Sequence, residues 1–284
     1  MTPHELATDS LIDQALREDL GQAGDITTDA IVPSKARAVA TFVARGDGRV
    51  AGTFVAKRVF ETLSEDVSFN TLVEDGADVR AGEPIARVSG KARAILSGER
   101  TALNFLGHLS GIATLTRRYK NAIGRTPPEI VATRKTTPGL RALEKYSVRC
   151  GGGGTHRYGL YDAVLIKDNH IAIAGGLREA VERARVNTGH LVKIQVEVDT
   201  LAQLEELLAV GADAVLLDNM NNDQLAAAIA VAGGRVMVEA SGNMNAERIA
   251  SLQHHGLDRV SMGGLIHQAR WVDLSMTLQA RPTP

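Results

Sequence analysis

Apolar residues recur at helical spacing over residues 4–20, and this pattern predicts an amphipathic helix that ends at a glycine. Over residues 36–90 the pattern changes to short runs of β-strand character separated by glycines. A long helical pattern then opens at Ser97, with leucine and isoleucine repeated along one face. Gly107 and Gly111 lie on this helix, where the missing side chains would let another backbone approach closely. The first part of the chain is therefore predicted to form a small α+β domain.

Beyond this domain, apolar strands alternate regularly with helical stretches. The predicted strands cover residues 130–133, 163–166, 192–198, 214–217, 235–239 and 259–262, and helical spacing recurs over residues 177–185, 201–210, 222–231 and 246–255. Most of the strands are almost continuously apolar, which indicates burial on both faces and parallel pairing. Such an alternation favours either an α/β barrel or a doubly wound sheet. No Gly-x-Gly-x-x-Gly motif follows the first strand, which argues against a dinucleotide site.

Charged or glycine-rich residues follow each of these strands. The strand ends carry Arg134-Lys135, Lys167-Asp168, Glu197, Asp218-Asn219, Ser241-Gly242-Asn243 and Gly263-Gly264. In a barrel all the carboxyl ends meet at the active-site face, whereas a doubly wound sheet brings ligands to its strand ends only near a switch point. Consecutive strand ends of this kind therefore favour a barrel. We predict the barrel over residues 111–284, after a first domain at residues 1–110, with a tail at about residues 272–284 that can pack back on the first domain.

The charge of the chain is concentrated locally. Seven lysines and arginines lie between Arg134 and Lys167, against the two carboxylates of Glu144 and Asp162, although the whole chain has a formal charge of −1. A local excess of cations in a neutral chain indicates a site for an anionic small molecule. A nucleic-acid surface would normally make the whole domain basic, so no nucleic-acid partner is predicted.

The composition narrows the class of protein further. The fractions of apolar residues (44%) and charged residues (23%) are typical of a globular protein. The single cysteine, Cys150, excludes an intrachain disulfide and fits a reducing compartment. The polar start has no apolar signal-peptide region, and no run of about 18 apolar residues could cross a membrane. We therefore predict a cytoplasmic protein with no membrane partner.

The residue types at the strand ends divide the predicted site into three parts. Backbone N–H groups of Ser241, Gly242 and Asn243, and of Ser261, Met262, Gly263 and Gly264, suit a phosphate, which barrels often bind at their last two units. The cations are Arg134, Lys135, His156, Arg157 and Lys167. Glu197 and Asp218, on adjacent strands, could hold Mg²⁺, bind sugar hydroxyls or stabilise a developing positive charge. Together these groups predict a substrate pair with several negative charges, one of them a metal-chelated phosphate.

Other polar residues in the region have simpler interpretations. Arg141, Lys145 and Arg149 are spaced four apart on a helix predicted to begin at Pro138, which indicates a solvated or dimer-facing stripe. The glycines at residues 151–154 precede His156-Arg157, which favours a mobile substrate loop. Cys150 lacks an evident base partner, which disfavours a nucleophile.

At these motifs the sequence resembles the quinolinate phosphoribosyltransferase family, and the resemblance covers nearly the whole chain. It rests on residues 98–104, 133–140, 144–146, 151–157, 165–170, 196–198, 217–219 and 240–242. Two positions depart from the family pattern: Thr155 stands where Asn commonly precedes His-Arg, and Asn243 stands where a second glycine is usual. Both changes lie near the predicted site and bear on affinity more than on activity.

The resemblance implies a fold and a set of roles. The fold is an N-terminal α/β sandwich domain plus an incomplete (β/α) barrel, the type II phosphoribosyltransferase fold, in a head-to-tail homodimer whose partner chain contributes Arg100 to the site. Glu197, Asp218, Lys135 and Lys167 are the implied catalytic residues, and the two acids are the implied Mg²⁺ ligands. The remaining implied substrate-binding residues are Thr133, Arg134, His156 and Arg157, with Ser241, Gly242, Asn243, Ser261, Met262, Gly263 and Gly264 around the 5-phosphate.

The implied reaction transfers phosphoribosyl from 5-phosphoribosyl-1-pyrophosphate to quinolinate, with loss of CO₂ and pyrophosphate, and gives nicotinate mononucleotide for NAD biosynthesis. Two alternatives stay open at this point. One is a related phosphoribosyltransferase that acts on nicotinate or another pyridine carboxylate, which would need fewer cations. The other is a non-catalytic barrel that senses a phosphorylated metabolite, for which paired acids would have no purpose.

Overall fold

The computed structural model describes residues 5–124, 127–252 and 255–281. The chain divides into two compact units. The first comprises the residues up to 117, residues 136–152 and the residues from 265 onward, and the second comprises residues 118–135 and 153–264. No helix among the described residues is long and apolar enough to cross a membrane.

Helices and strands occur along the whole described chain, and they alternate most regularly after β8. In chain order they are α1 (Glu5–Leu20), α2 (Ile26–Ile31), β1 (Arg37–Ala44), β2 (Gly48–Arg49), α3 (Thr53–Leu63), β3 (Ser68–Thr71), β4 (Asp78–Val79), β5 (Pro84–Lys91), α4 (Ala92–Ile123), β6 (Glu129–Ala132), α5 (Arg141–Cys150), β7 (Gly154–Thr155), β8 (Val164–Ile166), α6 (Asp168–Ala174), α7 (Leu177–Asn187), β9 (Ile194–Val198), α8 (Leu201–Val210), β10 (Ala214–Asp218), α9 (Asn222–Ala232), β11 (Met237–Ser241), α10 (Ala246–Ser251), β12 (Arg259–Met262), α11 (Gly264–His267) and β13 (Leu274–Arg281).

The first unit is built on an antiparallel sheet of four strands in the order β13-β1-β5-β3. Alternate residues of β1 are buried, as expected for a strand with one face on a core. The ring of Phe42 packs at 5.9 Å from the rings of both Phe60 and Phe69, measured between centroids, at the centre of this core. The tail predicted to pack back on the first domain contains β13, which pairs with β1 along its whole length.

Helix α4 contains the two glycines that were predicted to admit another backbone, and this prediction is confirmed. A Cβ atom on Gly111 would collide with the carbonyl oxygen of Arg270, and a Cβ atom on Gly107 would lie 3.1 Å from that of Val272. The Val272 N–H donates to the Gly107 carbonyl at 3.1 Å. The glycines therefore allow the segment before β13 to lie directly on the helix backbone.

The second unit is an α/β unit around seven parallel strands in the order β7-β6-β12-β11-β10-β9-β8. The first four residues of β10 are buried, which agrees with the apolar sequence of the strands. His156, directly after β7, makes a 2.7 Å hydrogen bond to Gln195 on β9, five places away in the strand order. The sheet therefore curls strongly, and the prediction of an incomplete barrel is confirmed.

Three predictions about helices were wrong. Helix α4 begins at Ala92 rather than Ser97, because the chain passes directly from β5 into the helix. Helix α5 begins at Arg141 rather than Pro138. Lys145 is fully buried in the first unit, so Arg141, Lys145 and Arg149 do not form a solvated stripe.

The residues predicted as a glycine loop end in β7, which pairs with β6. The domain limits predicted from the sequence, residues 1–110 and 111–284, stay predictions. They differ from the two compact units, each of which is built from separate stretches of the chain.

Candidate active site

The parallel pairing of the second unit brings most of the predicted site residues to one edge of its sheet. Asp218, Ser241 and Met262 are the last residues of their strands, Glu197 is the penultimate residue of β9, and Lys167 directly follows β8. Because all seven strands run in the same direction, their carboxyl ends lie at this edge. This is the edge at which barrels and open α/β sheets bind ligands.

A lysine and a glutamate form an ion pair at this edge. The Lys167 Nζ donates to the Glu197 Oε2 at 2.5 Å, and the side chains are 47% and 10% exposed, respectively. The Lys167 N–H donates to the His170 Nδ1 at 2.9 Å at the start of α6. Asp168 and His170 therefore belong to the helix start behind the lysine, which agrees with a role in fixing this segment. The half-exposed ammonium remains within reach of a ligand.

Glu197 and Asp218 lie on the same face of the sheet. Glu197 pairs with Leu216, and Asp218 lies two residues beyond Leu216 on β10. Since side chains two residues apart on a strand point to the same side, the two carboxylates share one face of adjacent strands. The register continues from Asp218 to Ser241 and from Ser241 to Ser261. The acids and the two serines therefore form a connected polar surface.

The turns after β10 and β11 interlock. Asn219, which has a φ of 53°, donates from Nδ2 to the Asp218 Oδ2 at 2.6 Å and from its backbone N–H to the Ser241 carbonyl at 3.0 Å. Gly242 has a φ of 93°, and a Cβ atom there would collide with the Asn219 side chain. Asn243 also has a positive φ, of 50°. The departure from a second glycine is tolerated here because asparagine adopts the left-handed region more readily than most residues.

Arg248 on α10 holds these two turns together, and the sequence pattern gave no sign of this role. Its guanidinium donates to the Gly242 carbonyl at 3.0 Å, to the Asn222 Oδ1 at 2.8 Å and to the Met220 carbonyl. The backbone around the glycine turn is thereby fixed by a rigid planar group with several donors. A preformed turn of this kind can present its backbone N–H groups to a phosphate without first becoming ordered.

The positive charges of two site arginines, Arg134 and Arg157, act on each other. The pKa of the Arg157 guanidinium is lowered from its ordinary value, first by desolvation and then by the positive charge of Arg134, whereas Asp162 acts in the opposite direction. Asp162 also accepts the backbone N–H groups of Tyr158 and Gly159, at 2.6 and 2.9 Å, and so shapes the loop after Arg157. An anion bound near both arginines would offset the repulsion between their charges, which is consistent with an anion site.

His156, one of the predicted site cations, lies in a network of hydrogen bonds. Its Nδ1 accepts the Arg157 N–H at 2.8 Å, so the ring proton lies on Nε2, which faces the Gln195 Oε1 at 2.7 Å. In this arrangement both ring nitrogens of His156 are engaged, and its Nε2 also lies 3.7 Å from the Glu239 Oε2. Behind it, the Gln195 Nε2 donates to the buried Glu239 at 3.1 Å. Neither Gln195 nor Glu239 was singled out from the sequence.

The remaining predicted residues are distributed over both units. The Lys135 N–H donates to the Thr133 Oγ1 at 3.0 Å, and the Lys135 side chain is exposed. Ser261 and Met262 are buried at the end of β12, and the partly exposed residues Gly263 and Gly264 follow. Arg100 belongs to the first unit, where it is exposed on α4.

The paired acids can serve Mg²⁺ only together with a ligand. Among the described residues, no three or more His, Cys, Asp or Glu side chains form a group that could hold a metal ion. Mg²⁺ is commonly held by one or two carboxylates, waters and substrate phosphates rather than by a cage of protein ligands. Glu197 and Asp218 therefore fit an ion that arrives with a phosphorylated substrate.

Cys150 has the properties of an inert thiol. Burial is the main cause that raises its pKa to about 11, and the Tyr146 hydroxyl acts in the opposite direction. At pH 8 only about one thiol in a thousand would be a thiolate. We expect alkylation by iodoacetamide in the folded protein to be about a hundredfold slower than in the urea-unfolded protein, and to rise about tenfold per pH unit between pH 8 and 10. Fast labelling at pH 7 would contradict this prediction.

The fold and the site define a class: an α/β barrel enzyme whose strand ends carry groups suited to anionic, phosphorylated substrates. Comparison with known protein families specifies it further. The N-terminal domain of quinolinate phosphoribosyl transferase matches residues 25–110, and the C-terminal domain of the same enzyme matches residues 112–277. The chain belongs to the quinolinate phosphoribosyltransferase family.

Individual relatives are similar to this protein over nearly its whole length. A probable nicotinate-nucleotide pyrophosphorylase [carboxylating] of Bacillus subtilis is 41% identical, over 96% of this chain and 94% of the relative. The corresponding Mycobacterium leprae enzyme is 40% identical, over 94% and 95%. The crystal structure of NadC from Streptococcus pyogenes superposes with a TM-score of 0.95 at 38% identity, covering 99% of this chain and all of that chain. That of nicotinate-nucleotide pyrophosphorylase from Ehrlichia chaffeensis gives a TM-score of 0.90 at 36% identity, over 95% and 98%.

Proposed function

We propose that this protein transfers the phosphoribosyl group of 5-phosphoribosyl-1-pyrophosphate to the ring nitrogen of quinolinate, and that it releases pyrophosphate and CO₂ and forms nicotinate mononucleotide for NAD biosynthesis. The observation that carries the proposal is that two arginines, two acids and the fixed glycine turn after β11 all follow or end strands at one edge of a parallel sheet. Each part matches a charge or a group of the two substrates. The names of the relatives support the same reaction.

Quinolinate is a dicarboxylate, and the arginines are suited to bind it. Arg134 and Arg157 lie close enough for the charge of one to lower the pKa of the other. A guanidinium binds a carboxylate through two parallel hydrogen bonds, so two arginines can fix the position and the orientation of the pyridine ring. A fixed ring places its nitrogen next to C1 of the ribose, which removes much of the entropic barrier to the reaction.

The transfer step makes the ribose carbon electron-poor. The bond between C1 and the pyrophosphate oxygen breaks while the bond from the ring nitrogen forms, and the ribose gains oxocarbenium character between them. Carboxylates of Glu197 and Asp218 on one face of the sheet stabilise this positive charge. The ammonium of Lys167, already beside Glu197, can turn to the departing pyrophosphate, and the exposed Lys135 supplies a second positive charge.

Decarboxylation then requires no base on the protein. Once the ring nitrogen is quaternary, the bond from C2 to its carboxylate carbon can break, and its electron pair stays on C2 beside the positive nitrogen. A solvent proton completes nicotinate mononucleotide. The retained carboxylate keeps its arginine partners, and the leaving carboxylate departs as neutral CO₂.

The 5-phosphate fits the glycine turns after β11 and β12. Gly242, Asn243 and the residues from Ser261 to Gly264 offer backbone donors at the strand ends, and Arg248 keeps the first of these turns in place. When bound, Mg²⁺ would neutralise charge on the pyrophosphate, with Glu197 and Asp218 as its protein ligands.

The proposal includes a homodimer in which Arg100 of each chain completes the site of the partner chain. The family resemblance supports it, as does the position of Arg100, which is exposed on α4 in the first unit rather than at the strand ends of the second. A third arginine would complete the recognition of a substrate with two carboxylates. The cytoplasmic location remains a prediction from the single cysteine.

The test of the function is a comparison of acceptors. Protein, Mg²⁺ and 5-phosphoribosyl-1-pyrophosphate are mixed with either quinolinate or nicotinate, and the products are identified by mass. We expect nicotinate mononucleotide from quinolinate and at least a hundredfold lower rate with nicotinate, which lacks the second carboxylate. Equal rates with both acceptors would favour the rival phosphoribosyltransferase, and no product from either would favour a sensor.

A further inference from the structure

The interior of the curled sheet contains a chain of hydrogen bonds that ends in a buried carboxylate. Gln195 on β9 is 7% exposed and Glu239 on β11 is 1% exposed. The Gln195 Nε2 donates to the Glu239 Oε2 at 3.1 Å, and the Gln195 Oε1 faces the His156 Nε2 at 2.7 Å. The His156 Nδ1 accepts the Arg157 N–H at 2.8 Å. These hydrogen bonds therefore connect the barrel interior to the backbone of a site arginine.

The hydrogen bonds that join Glu239, Gln195, His156 and Arg157 can be arranged in only one direction. A carboxylate only accepts, so Glu239 requires the amide nitrogen of Gln195 on its side. The amide oxygen of Gln195 then faces His156, which must donate from Nε2 and keep Nδ1 as an acceptor for the Arg157 N–H. A flipped Gln195 would set its oxygen against the Glu239 carboxylate. The carboxylate at position 239 thus favours the Nε2–H tautomer of His156, both through Gln195 and directly, since the Glu239 Oε2 lies 3.7 Å from the His156 Nε2.

Packing alone gives no reason for a carboxylate at this position. Glu239 lies in register between Leu216 on β10 and Arg259 on β12, in a strand whose neighbours Val238 and Ala240 are buried and apolar. Its Oε1 is buried and has no hydrogen-bond partner within the described ranges. Such an arrangement is costly, and an apolar residue of similar volume would avoid the cost. The carboxylate must therefore have a use that depends on its charge.

We propose that Glu239 and Gln195 are positioning residues that hold His156 as the neutral Nε2–H tautomer and, through it, hold Arg157 at the site of the pyridine dicarboxylate. The proposal rests on the proposed function for the identity of the ligand. Neither residue needs to touch the substrate. Both act by keeping the Arg157 backbone tied to the His156 ring, while the Arg157 guanidinium is held by Nη1, which donates to the Ala163 carbonyl at 3.0 Å.

The first test replaces the carboxylate by an amide of the same shape. In Glu239→Gln the new amide can donate to Gln195, which lets Gln195 turn its NH₂ group to His156. His156 must then accept at Nε2 and carry its proton on Nδ1, where the proton opposes the Arg157 N–H. We expect the KM for quinolinate to rise about tenfold, as for the loss of one charge-assisted hydrogen bond, with the KM for 5-phosphoribosyl-1-pyrophosphate changed less than about twofold.

The double variant Gln195→Glu with Glu239→Gln provides the rescue. It exchanges the amide and the carboxylate, so residue 239 donates to residue 195, and residue 195 again accepts the His156 Nε2–H. We expect its KM for quinolinate to return to within about threefold of wild type, although Gln195→Glu alone sets two carboxylates side by side and is impaired. The matched control is Thr116→Val, which removes a buried hydroxyl that donates to the Ile112 carbonyl in the first unit. It measures the effect of losing a buried polar group outside the site.

A spectroscopic readout separates this inference from the function itself. Ring ¹⁵N shifts of His156, assigned by their loss in His156→Asn, report the tautomer without any substrate. We expect Nε2–H in wild type and in the double variant, and Nδ1–H in Glu239→Gln. The inference is overturned if the tautomer does not change in Glu239→Gln, if the KM values for both substrates rise together, or if the double variant is no better than its parents. Absence of CO₂ release by wild type would contradict the function but leave the tautomer test valid.

Discussion

Replacing Glu197 by glutamine is expected to lower kcat by about 10²–10³-fold, with the KM for quinolinate changed less than about threefold. The substitution keeps the shape of the side chain and removes the charge that would stabilise the electron-poor ribose carbon. It also releases the Lys167 ammonium from its 2.5 Å contact, so the lysine can bind the pyrophosphate more tightly in the ground state without helping the transition state. Steady-state kinetics with each substrate varied in turn measures both effects.

Asp218→Asn is the companion substitution on the adjacent strand. We expect a loss of similar size, and the two losses should combine to less than their product if both carboxylates stabilise the same charge. Glu205→Gln on α8, an exposed position outside the site, is the matched control and should leave kcat unchanged. A fall in kcat of less than fivefold in both site variants would show that neither acid stabilises the transition state.

Mixed dimers of two inactive chains are expected to regain activity. An Arg100→Ala chain should lose at least about thirtyfold in kcat/KM for quinolinate, the cost of one arginine–carboxylate pair, and a Glu197→Ala chain should be nearly inactive. In a mixed dimer, one site combines the intact barrel of the first chain with the intact Arg100 of the second. Random exchange should therefore restore about a quarter of wild-type activity, since half of the dimers each carry one complete site.

The control for this experiment is a mixture of two chains that carry the same substitution, which should stay inactive. Sedimentation at the assay concentration checks that the chains associate. If the mixture of Arg100→Ala and Glu197→Ala chains is associated and yet gains no activity, Arg100 does not serve the partner site. In that case the dimer proposal is wrong, while the chemistry assigned to Glu197 and Asp218 is unaffected.

The site was predictable from the sequence to the extent that its residues lie at strand ends. Glu197 and Asp218 interrupt apolar runs at the carboxyl end of parallel strands, and the topology then requires them to share one edge. The glycine turns were predictable for the same reason. Residue type alone could not supply the hydrogen-bond partners of His156, because Gln195 and Glu239 lie far from it along the chain.

The sequence contains a weak indication that Gln195 and Glu239 belong to the site. Each interrupts the apolar residues of its strand, and each lies two residues before a residue of the predicted site, Glu197 or Ser241. Because alternate residues of a strand face the same side, a polar residue at that spacing lies beneath the site. Arg248 had no comparable signal, since an arginine on a helix is usually a solvated one.

The errors elsewhere came from treating charge spacing as exposure. Arg141, Lys145 and Arg149 repeat every four residues, which is also the spacing of a buried helix face. Lys145 is buried, and it follows Glu144, which is buried as well and accepts hydrogen bonds from His108 and from the Thr137 N–H. Long-range partners of this kind cannot be read from spacing along one helix.

The central claim is tested most directly by the stoichiometry of the two leaving groups. Quinolinate labelled with ¹⁴C in the carboxylate at C2 is incubated with 5-phosphoribosyl-1-pyrophosphate, Mg²⁺ and the protein, and released CO₂ and pyrophosphate are counted in the same reaction. We predict one CO₂ per pyrophosphate throughout the time course, and neither product when the protein is Glu197→Ala. Pyrophosphate release without labelled CO₂, or no release of either product by the wild-type protein, would contradict the assignment.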